Sequence, residues 1–297
     1  KIVTSELSYL GAEGNILHPT PEALKRIQLQ RPVLTPSQLE YIESSEFKTV
    51  RLSTLYTNVL ADALELLGQQ AIEAVKDGAE ILVLDDSLLS QKTAYALPIL
   101  LATSYIHQLL IKENLRMNTS IVAYSGETRE VHHVACLLGY GANAVVPYLA
   151  QATIEQLTVQ KKLTGKVSNN VETYTQILSE GVIKVMAKMG ISTVQSYHGA
   201  QIFEAIGLSH EVIERYFPGT PSKLSGLSIA QIEAENKAQQ QRHLDYLPSG
   251  SVFQWRQQGQ HHVFNPLTIF KLQHACREND YQQFKEFTAA VHSKRFD

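Results

Sequence analysis

The chain has 297 residues, of which 44% are hydrophobic and 19% are charged. This mixture is typical of a globular protein with a sizeable core, built as one large domain or two small ones. The formal net charge is -3, and the 26 basic residues are scattered along the sequence. We therefore expect neither a nucleic-acid partner nor a membrane partner.

The cysteines and the most apolar run indicate the compartment. Cys136 and Cys276 both lie in apolar, helix-like surroundings, so each thiol is predicted to be buried and inert, and no disulfide framework is indicated. This usage favours a reducing, cytoplasmic setting. Residues 94–111 are interrupted by a proline and by polar side chains, which predicts a core helix rather than a membrane span. No signal peptide is visible. Because the sequence starts at Lys1 without a methionine and stops just after a helical pattern, we expect it to be a piece of a longer protein.

The first half of the sequence predicts alternating strands and helices. Residues 1–47, rich in glycine and proline with little periodicity, are predicted to be an irregular lead-in. The strands are then predicted at 49–55, 80–85, 120–124 and 144–147, and the helices at 60–75, up to about 113, and at 129–138. Short apolar strands that alternate with helices indicate a parallel sheet buried on both faces.

The second half is predicted to be mainly helical. The helices are predicted at 154–163, 171–189, 200–206, 211–217, 229–243, 266–277 and 281–292, with a fifth strand at 191–195. Five such units are too few for an eight-stranded barrel. The predicted fold class is therefore α/β, a partial or degenerate (β/α) barrel with parallel strands and a helical C-terminal third. Its parts are the lead-in over 1–47, a β/α core over 48–200 and a mainly helical extension over 201–297.

Few residue patterns indicate chemistry. The sequence Gly139-Tyr-Gly141 follows a helix and precedes a strand, which is the reverse of a phosphate loop, so it is predicted to be a helix stop. His132 and His133 point about 100° apart on a helix and are not expected to share a metal.

The densest polar cluster follows the third strand, where α/β proteins usually place their sites. It comprises Glu127, Arg129, Glu130, His132 and His133. Solvated charges at a helix start, or an interface, are the favoured interpretation. A functional site remains the alternative.

Longer strings resemble the large subunit of glutamate synthase over nearly the whole chain. They are Gly126-Glu-Thr-Arg-Glu-Val-His-His133, Leu137-Leu-Gly-Tyr-Gly-Ala-Asn-Ala-Val145, Lys188-Met-Gly-Ile-Ser-Thr-Val-Gln-Ser-Tyr197 and Gly199-Ala-Gln-Ile-Phe-Glu-Ala-Ile-Gly-Leu208, with Gly219-Thr-Pro-Ser222, Gln254-Trp-Arg256 and Phe264-Asn-Pro266 further on. Strings this long and in this order rarely match by chance.

The resemblance implies a role between two active centres. In that family an N-terminal amidotransferase domain uses an N-terminal cysteine to release ammonia from glutamine. The ammonia crosses a tunnel to an FMN barrel, where 2-oxoglutarate becomes glutamate with electrons from a 3Fe-4S cluster. This chain resembles the central domain that connects the two and helps to form the tunnel, described as a rudimentary relative of the FMN barrel.

The resemblance transfers no catalytic, cofactor-binding or metal-binding residue to this fragment, which is expected to be non-catalytic alone. The implied partners are the flanking amidotransferase and FMN domains of the same chain. A small electron-donating subunit or ferredoxin is implied for the whole enzyme, an oxidoreductase that acts on CH-NH2 donors and depends on NADPH, NADH or ferredoxin.

The sequence departs from the family at three places. Residues 85–87 read Asp-Asp-Ser where the family commonly has Ser-Asp-Arg, residues 108–109 interrupt a histidine run, and His198 replaces a usual arginine. The alternative to the connector is an independent α/β-barrel enzyme that binds a flavin or a phosphorylated ligand. Its site would lie at the strand ends around Asp85, Glu127 and Arg129.

Overall fold

The computed structural model describes residues 4–15, 17–89, 94–241, 255–257, 259 and 261–292. The chain divides into two compact units, residues 1–240 and residues 241–297. None of the described helices is long and apolar enough to cross a membrane.

The segment before the central sheet is less irregular than the sequence predicts. Strands β1 (Ser8–Leu10) and β2 (Ile27–Leu29) pair in antiparallel fashion. Helix α1 (Pro36–Glu43) begins at a capping box, in which Thr35 and Gln38 exchange side-chain and backbone hydrogen bonds. The strands escape prediction because three residues are too few to show alternation.

Four parallel strands form the centre of the first unit. This region contains these four strands and a separate pair, namely β3 (Thr49–Ser53), β4 (Leu55–Tyr56), β5 (Ile81–Asp85), β6 (Tyr95–Ala96), β7 (Ser120–Tyr124) and β8 (Ala144–Val146). The parallel sheet has the order β3-β5-β7-β8, while β4 pairs antiparallel with β6. The sheet is open, which confirms the predicted partial barrel.

Both faces of this sheet are buried, but by different parts of the chain. The helices that follow the strands are α2 (Leu60–Lys76), α3 (Ile99–Lys112), α4 (Val131–Gly139), α5 (Tyr148–Val159) and α6 (Val167–Met189). Leu82 and Leu84 of β5 join a core with α2 and α3, whereas Ile81 and Val83 join a second core with Leu10 of β1 and with α1. The lead-in thus covers the face that a closed barrel would turn inward.

Two predictions for the middle of the chain are wrong. The predicted strand at 191–195 is instead a short helix, α7 (Val194–Tyr197), because the Thr193 hydroxyl caps its first turn. The predicted helix at 200–206 is replaced by β9 (Ala205–Leu208), since the positive φ angles of Gly199 (66°) and Gln201 (49°) break a helix there.

The last elements mostly agree with the prediction. They are α8 (His210–Tyr216), β10 (Ser222–Leu227), α9 (Ile229–Gln240), α10 (Pro266–Glu278) and α11 (Tyr281–His292). Strand β10, which the sequence reading missed, pairs in parallel with β9. Residues 242 and 243 at the end of the predicted 229–243 helix lie outside the described residues.

A partly buried cation fixes the amino end of β7. Arg116 donates through Nε to Nδ1 of His107 (2.8 Å) and through Nη1 to the Thr119 carbonyl (2.7 Å). Its Nη2 donates to the Gly141 carbonyl (2.8 Å) and to Oδ1 of Asn143 (3.0 Å). Burial lowers the pKa of Arg116 to about 10, so the guanidinium stays charged at neutral pH.

Two histidines beside Arg116 are buried in the neutral form. Burial, followed by the positive charge of Arg116, lowers the pKa of His107 to about 3. The same two causes lower the pKa of His198 to about 3. Neither ring nitrogen of His198 has a hydrogen-bond partner among the described residues.

The histidine pair should make the chain acid-sensitive. Because both folded-state pKa values lie below the ordinary value of 6.5, the unfolded state binds more protons, and stability is lost as pH falls from about 6.5 toward 3. Each histidine contributes at most about 1.4 kcal/mol per pH unit. His198→Phe should flatten this slope in urea titrations between pH 7 and 4. An unchanged slope in this variant would contradict the assignment.

Candidate functional site

A cavity of about 650 Å³ lies at the carboxyl end of the parallel sheet, between α3, α4 and α9. Most of its wall is apolar and includes Leu97, Leu100 and Leu137. The polar side chains at its wall belong to Asp86, Glu127, Thr128, Arg129, His132, His133, Tyr148, Asn236, Gln239 and Gln240. The predicted polar cluster is therefore largely brought to one cavity.

Asp86 is a buried side chain whose hydrogen bonds join two loops. Its side chain, 4% exposed, accepts hydrogen bonds from the Ser125 hydroxyl (2.6 Å) and from the Gly126 amide (3.0 and 3.1 Å to its two oxygens). Burial, and then the nearby Asp86 carboxylate, raise the pKa of Tyr148. These bonds satisfy the carboxylate from within the protein, so Asp86 joins the loops after β5 and β7 rather than offering a reactive group.

Asp85 does not belong to the cavity wall. It accepts a hydrogen bond from Arg51 (2.7 Å), which also binds both carboxylate oxygens of Glu43 (2.6 and 2.9 Å). The same guanidinium lies 4.8 Å from the ring centre of Tyr124. Asp85 is thus engaged in an ion-pair network, and the trio that the alternative hypothesis needs is not assembled.

Glu127 occupies the N-terminus of α3. The amide of Ile99, the first residue of that helix, donates to Oε2 of Glu127 (2.8 Å). Desolvation of the carboxylate raises the pKa of Glu127, against the lowering effects of the Ile99 amide and of Arg129. The helix end that faces the cavity therefore already has an internal acceptor.

Glu233 of α9 accepts a hydrogen bond at the N-terminus of α2, as Glu127 does at the N-terminus of α3. Its Oε2 accepts a hydrogen bond from the amide of Leu60, the first residue of α2 (2.9 Å), and its Oε1 accepts one from Lys237 (2.5 Å). Although desolvation acts to raise it, the pKa of Glu233 lies below the ordinary value because of the bonds from Lys237 and Leu60. Two helix N-termini at the carboxyl end of the sheet thus hold carboxylates of the chain itself.

Helix α9 is fixed to this end of the sheet by polar side chains. Gln240 accepts from the Ala96 amide (2.8 Å) and donates to the Ala96 carbonyl (2.9 Å), as a neighbouring strand would. Asn236 accepts from the Tyr56 hydroxyl (2.9 Å). The helix therefore spans the ends of β4 and β6.

The two adjacent histidines have separate partners. His132 Nε2 lies 3.5 Å from the Cys136 sulfur, while Nδ1 of His133 accepts from the Arg129 amide (3.1 Å). Burial lowers the pKa of His133 despite Glu130 at 3.4 Å. Within the described ranges no group of three or more potential ligands could hold a metal ion.

Two helix N-termini at this end of the sheet are not free to bind the phosphate of a cofactor such as FMN. Phosphate binding at a helix N-terminus needs free backbone amides. Here the first amides of α2 and α3 are already bound by Glu233 and Glu127. No step of any mechanism is therefore assigned to a cofactor in this cavity.

Sequence comparison identifies the family. The family model of the glutamate synthase central domain matches residues 1–209. The chain belongs to the glutamate synthase central domain family. The NADPH-type glutamate synthase large chain of Bacillus subtilis is 45% identical over 99% of this chain, and the ferredoxin-dependent glutamate synthase 2 of Synechocystis is 38% identical over 79%.

The chain spans only 20% of the Bacillus relative and 16% of the Synechocystis relative. Among solved structures, the recombinant flavin-binding domain of baker's yeast flavocytochrome b2 is similar with a TM-score of 0.40 and 16% identity, over 67% of this chain and 47% of that one. A likeness this weak carries no argument about a ligand.

In this member of the central domain family the sequence reading located Glu127, Arg129 and the histidines but missed the contribution of α9. Glu233 and Leu60 lie 173 positions apart, and no local pattern links them. The prediction that Cys276 is buried is also wrong, since it lies exposed on α10, whereas Cys136 is 9% exposed. One turn of helix with apolar neighbours does not show which face is covered.

The two thiols of this central domain should differ in reactivity. Burial raises the pKa of Cys136 to about 11, so at pH 8 only about a thousandth of it is thiolate. An aromatic disulfide reagent should label one thiol per native chain rapidly, and both after denaturation. Rapid labelling of the native Cys276→Ser variant would contradict this assignment.

Substitutions of Glu127 should separate its charge from its role as an acceptor. Because its folded-state pKa is raised, wild-type stability should fall as pH rises through that pKa. Glu127→Gln keeps an oxygen for the Ile99 amide and should lose this pH dependence. Glu127→Ala should lose about 1 kcal/mol at pH 7, as for a lost helix cap. Thermal unfolding of both variants from pH 4 to 8 measures the effects, and equal stability of both at pH 7 would exclude the capping role.

Proposed function

We propose that the chain is the central connecting domain of a glutamate synthase large chain. It links a glutamine amidotransferase domain to an FMN-binding synthase domain and helps to form the ammonia passage between them. The whole enzyme makes two glutamates from glutamine and 2-oxoglutarate, with FMN and a 3Fe-4S cluster outside this chain. NADPH, NADH or ferredoxin supplies the electrons, through a small subunit in the NAD(P)H forms.

The observation that carries the connector role is the internally satisfied carboxyl end of the sheet. Glu127 and Glu233 occupy two helix ends where a phosphate could otherwise bind, and Asp86 accepts hydrogen bonds from Ser125 and Gly126. The family membership and the small share of each relative that the chain spans support the same role. A domain with this arrangement positions its neighbours and leaves the chemistry to them.

The cavity suits the passage of a small neutral molecule. Ammonia must be kept from bulk water, because protonation would convert it to ammonium. Apolar side chains such as Leu97, Leu100 and Leu137 make up much of the wall. We therefore propose that the cavity beside α4 is the part of the ammonia passage that this domain forms.

Steady-state rates of a large chain that contains this sequence test the role. The isolated chain should show neither glutaminase activity nor 2-oxoglutarate-dependent glutamate formation, and the large chain should couple both. Leu149→Trp, at a 52% exposed position on the cavity wall, should increase the ammonia released per glutamate formed.

Ile177→Trp on α6, 56% exposed, is the matched control and should leave this ratio unchanged. Catalytic activity in the isolated chain would overturn the connector role. An unchanged ratio in Leu149→Trp would show that ammonia does not pass through this cavity.

The alternative is an independent α/β enzyme that binds a flavin or a phosphorylated ligand. The feature in its favour is the position of Glu127 and Arg129 at the carboxyl end of the sheet. Saturable binding of such a ligand by this chain would favour the alternative over the connector.

A further inference from the structure

Strands β9 and β10 form a sheet that is too small to be stable by itself. Each has the other as its sole strand neighbour within the described part of the chain. Two paired strands alone are marginally stable in water, and a free edge presents unpaired amides and carbonyls. In β10 four successive residues, 223–226, are exposed. Among the described residues no strand pairs with the outer edge of β10, which leaves a place for a further strand.

An apolar pair on the same sheet is also uncovered. Ile206 of β9 and Leu224 of β10 are direct cross-strand partners, and they are 72% and 61% exposed. Single exposed apolar side chains are ordinary, but a paired set on a free sheet is typical of an interaction surface.

The two strands are held close by a pair of glycines. A Cβ at Gly226 would lie 2.3 Å from the carbonyl oxygen of Gly207, which has a φ of 79°. Only glycine permits this approach, so the exposed edge has a defined geometry rather than that of a loose loop.

We propose that an extended apolar segment from another part of the same large chain adds to the free edge of β10 and packs against Leu224, beside Ile206. This inference rests on the proposed function, because it takes its occupant from a longer glutamate synthase chain. Strand addition supplies affinity through main-chain hydrogen bonds and specificity through alternate side chains. The surface would hold a flanking domain in place.

The relatives supply the reason for choosing an occupant from the same chain. About four-fifths of the Bacillus relative lies outside the matched region. A tethered segment acts at an effective concentration of about 1 mM, well above that of a second copy in a micromolar solution. The open edge is thus expected to be filled from within the chain.

Hydrogen exchange of the wild-type proteins tests the proposal. In a large chain that contains this sequence, the amides of residues 222–227 should exchange at least about tenfold more slowly than in the isolated chain. Equal exchange rates in the two proteins would overturn the proposal. So would protection in the isolated chain that grows with protein concentration, since the occupant would then be a second copy.

A double variant identifies the apolar pair as the contact. Ile206→Lys with Leu224→Lys should return exchange in the large chain to the rate of the isolated chain, while Ile177→Lys on α6 should not. Because both residues are already exposed, the melting temperature of the isolated chain should shift by no more than about 2 °C. Glutamate formation is measured in the same wild-type sample, so an active large chain with an unprotected β10 overturns this inference and leaves the proposed function standing.

Discussion

Arg116→Met is expected to lower the free energy of unfolding by about 3 to 5 kcal/mol, as estimated from the acceptors left without a donor. The side chain donates to two backbone carbonyls, to Asn143 and to His107. Methionine fills a similar volume but donates to none of them. Each buried acceptor that loses its partner costs about 1 to 3 kcal/mol, which the removal of a buried charge offsets only in part.

Urea unfolding at pH 7 measures this loss, and Arg215→Met is the matched control. Arg215 pairs with the carboxylate of Glu65, but its side chain is 56% exposed. Removal of an exposed ion pair costs less than about 1 kcal/mol. Equal losses in the two variants would show that Arg116 contributes no more than a surface cation.

The second large effect is expected at Gly141, which follows α4. Its φ is 113°, and a Cβ would lie 2.3 Å from the ring of His107. Gly141→Ala should therefore combine backbone strain of about 1 to 2 kcal/mol with overpacking of about 1 to 3 kcal/mol. His107 cannot move aside freely, because its Nδ1 is bound by Arg116.

Gly78→Ala separates the two contributions to that loss. Gly78 also has a positive φ, 89°, but nothing lies within 4 Å of an added Cβ. Its alanine variant should lose only the backbone contribution. Urea unfolding of both variants gives the steric contribution as the difference, and equal losses would contradict the predicted clash with His107.

The buried parallel strands could be predicted from the sequence because their signal is local. Residues 120–124 are buried on both faces of the sheet and form an unbroken run before a polar loop, so both ends of β7 are evident. The lead-in and β10 have no such signal. Strand β10 reads Ser-Lys-Leu-Ser-Gly-Leu, and what makes it a strand is its partner β9, some fifteen residues earlier in the chain.

The candidate site also has one part that could be predicted from the sequence and one part that could not. The position of Glu127 and Arg129 after a predicted strand was enough to place them at the carboxyl end of the sheet. What closes that end could not be predicted, because it depends on side chains of α9 that contact residues far away in the sequence. Gln240 and Ala96 are 144 positions apart, and their two hydrogen bonds leave no trace in the periodicity of either segment.

Titration of FMN with the purified chain tests the central claim most directly. Because the first amides of α2 and α3 are bound by Glu233 and Glu127, we expect no change in the visible spectrum or the fluorescence of FMN at micromolar concentrations of the chain. Saturable binding with a micromolar dissociation constant would contradict the claim that carboxylates of the chain itself occupy these two helix N-termini.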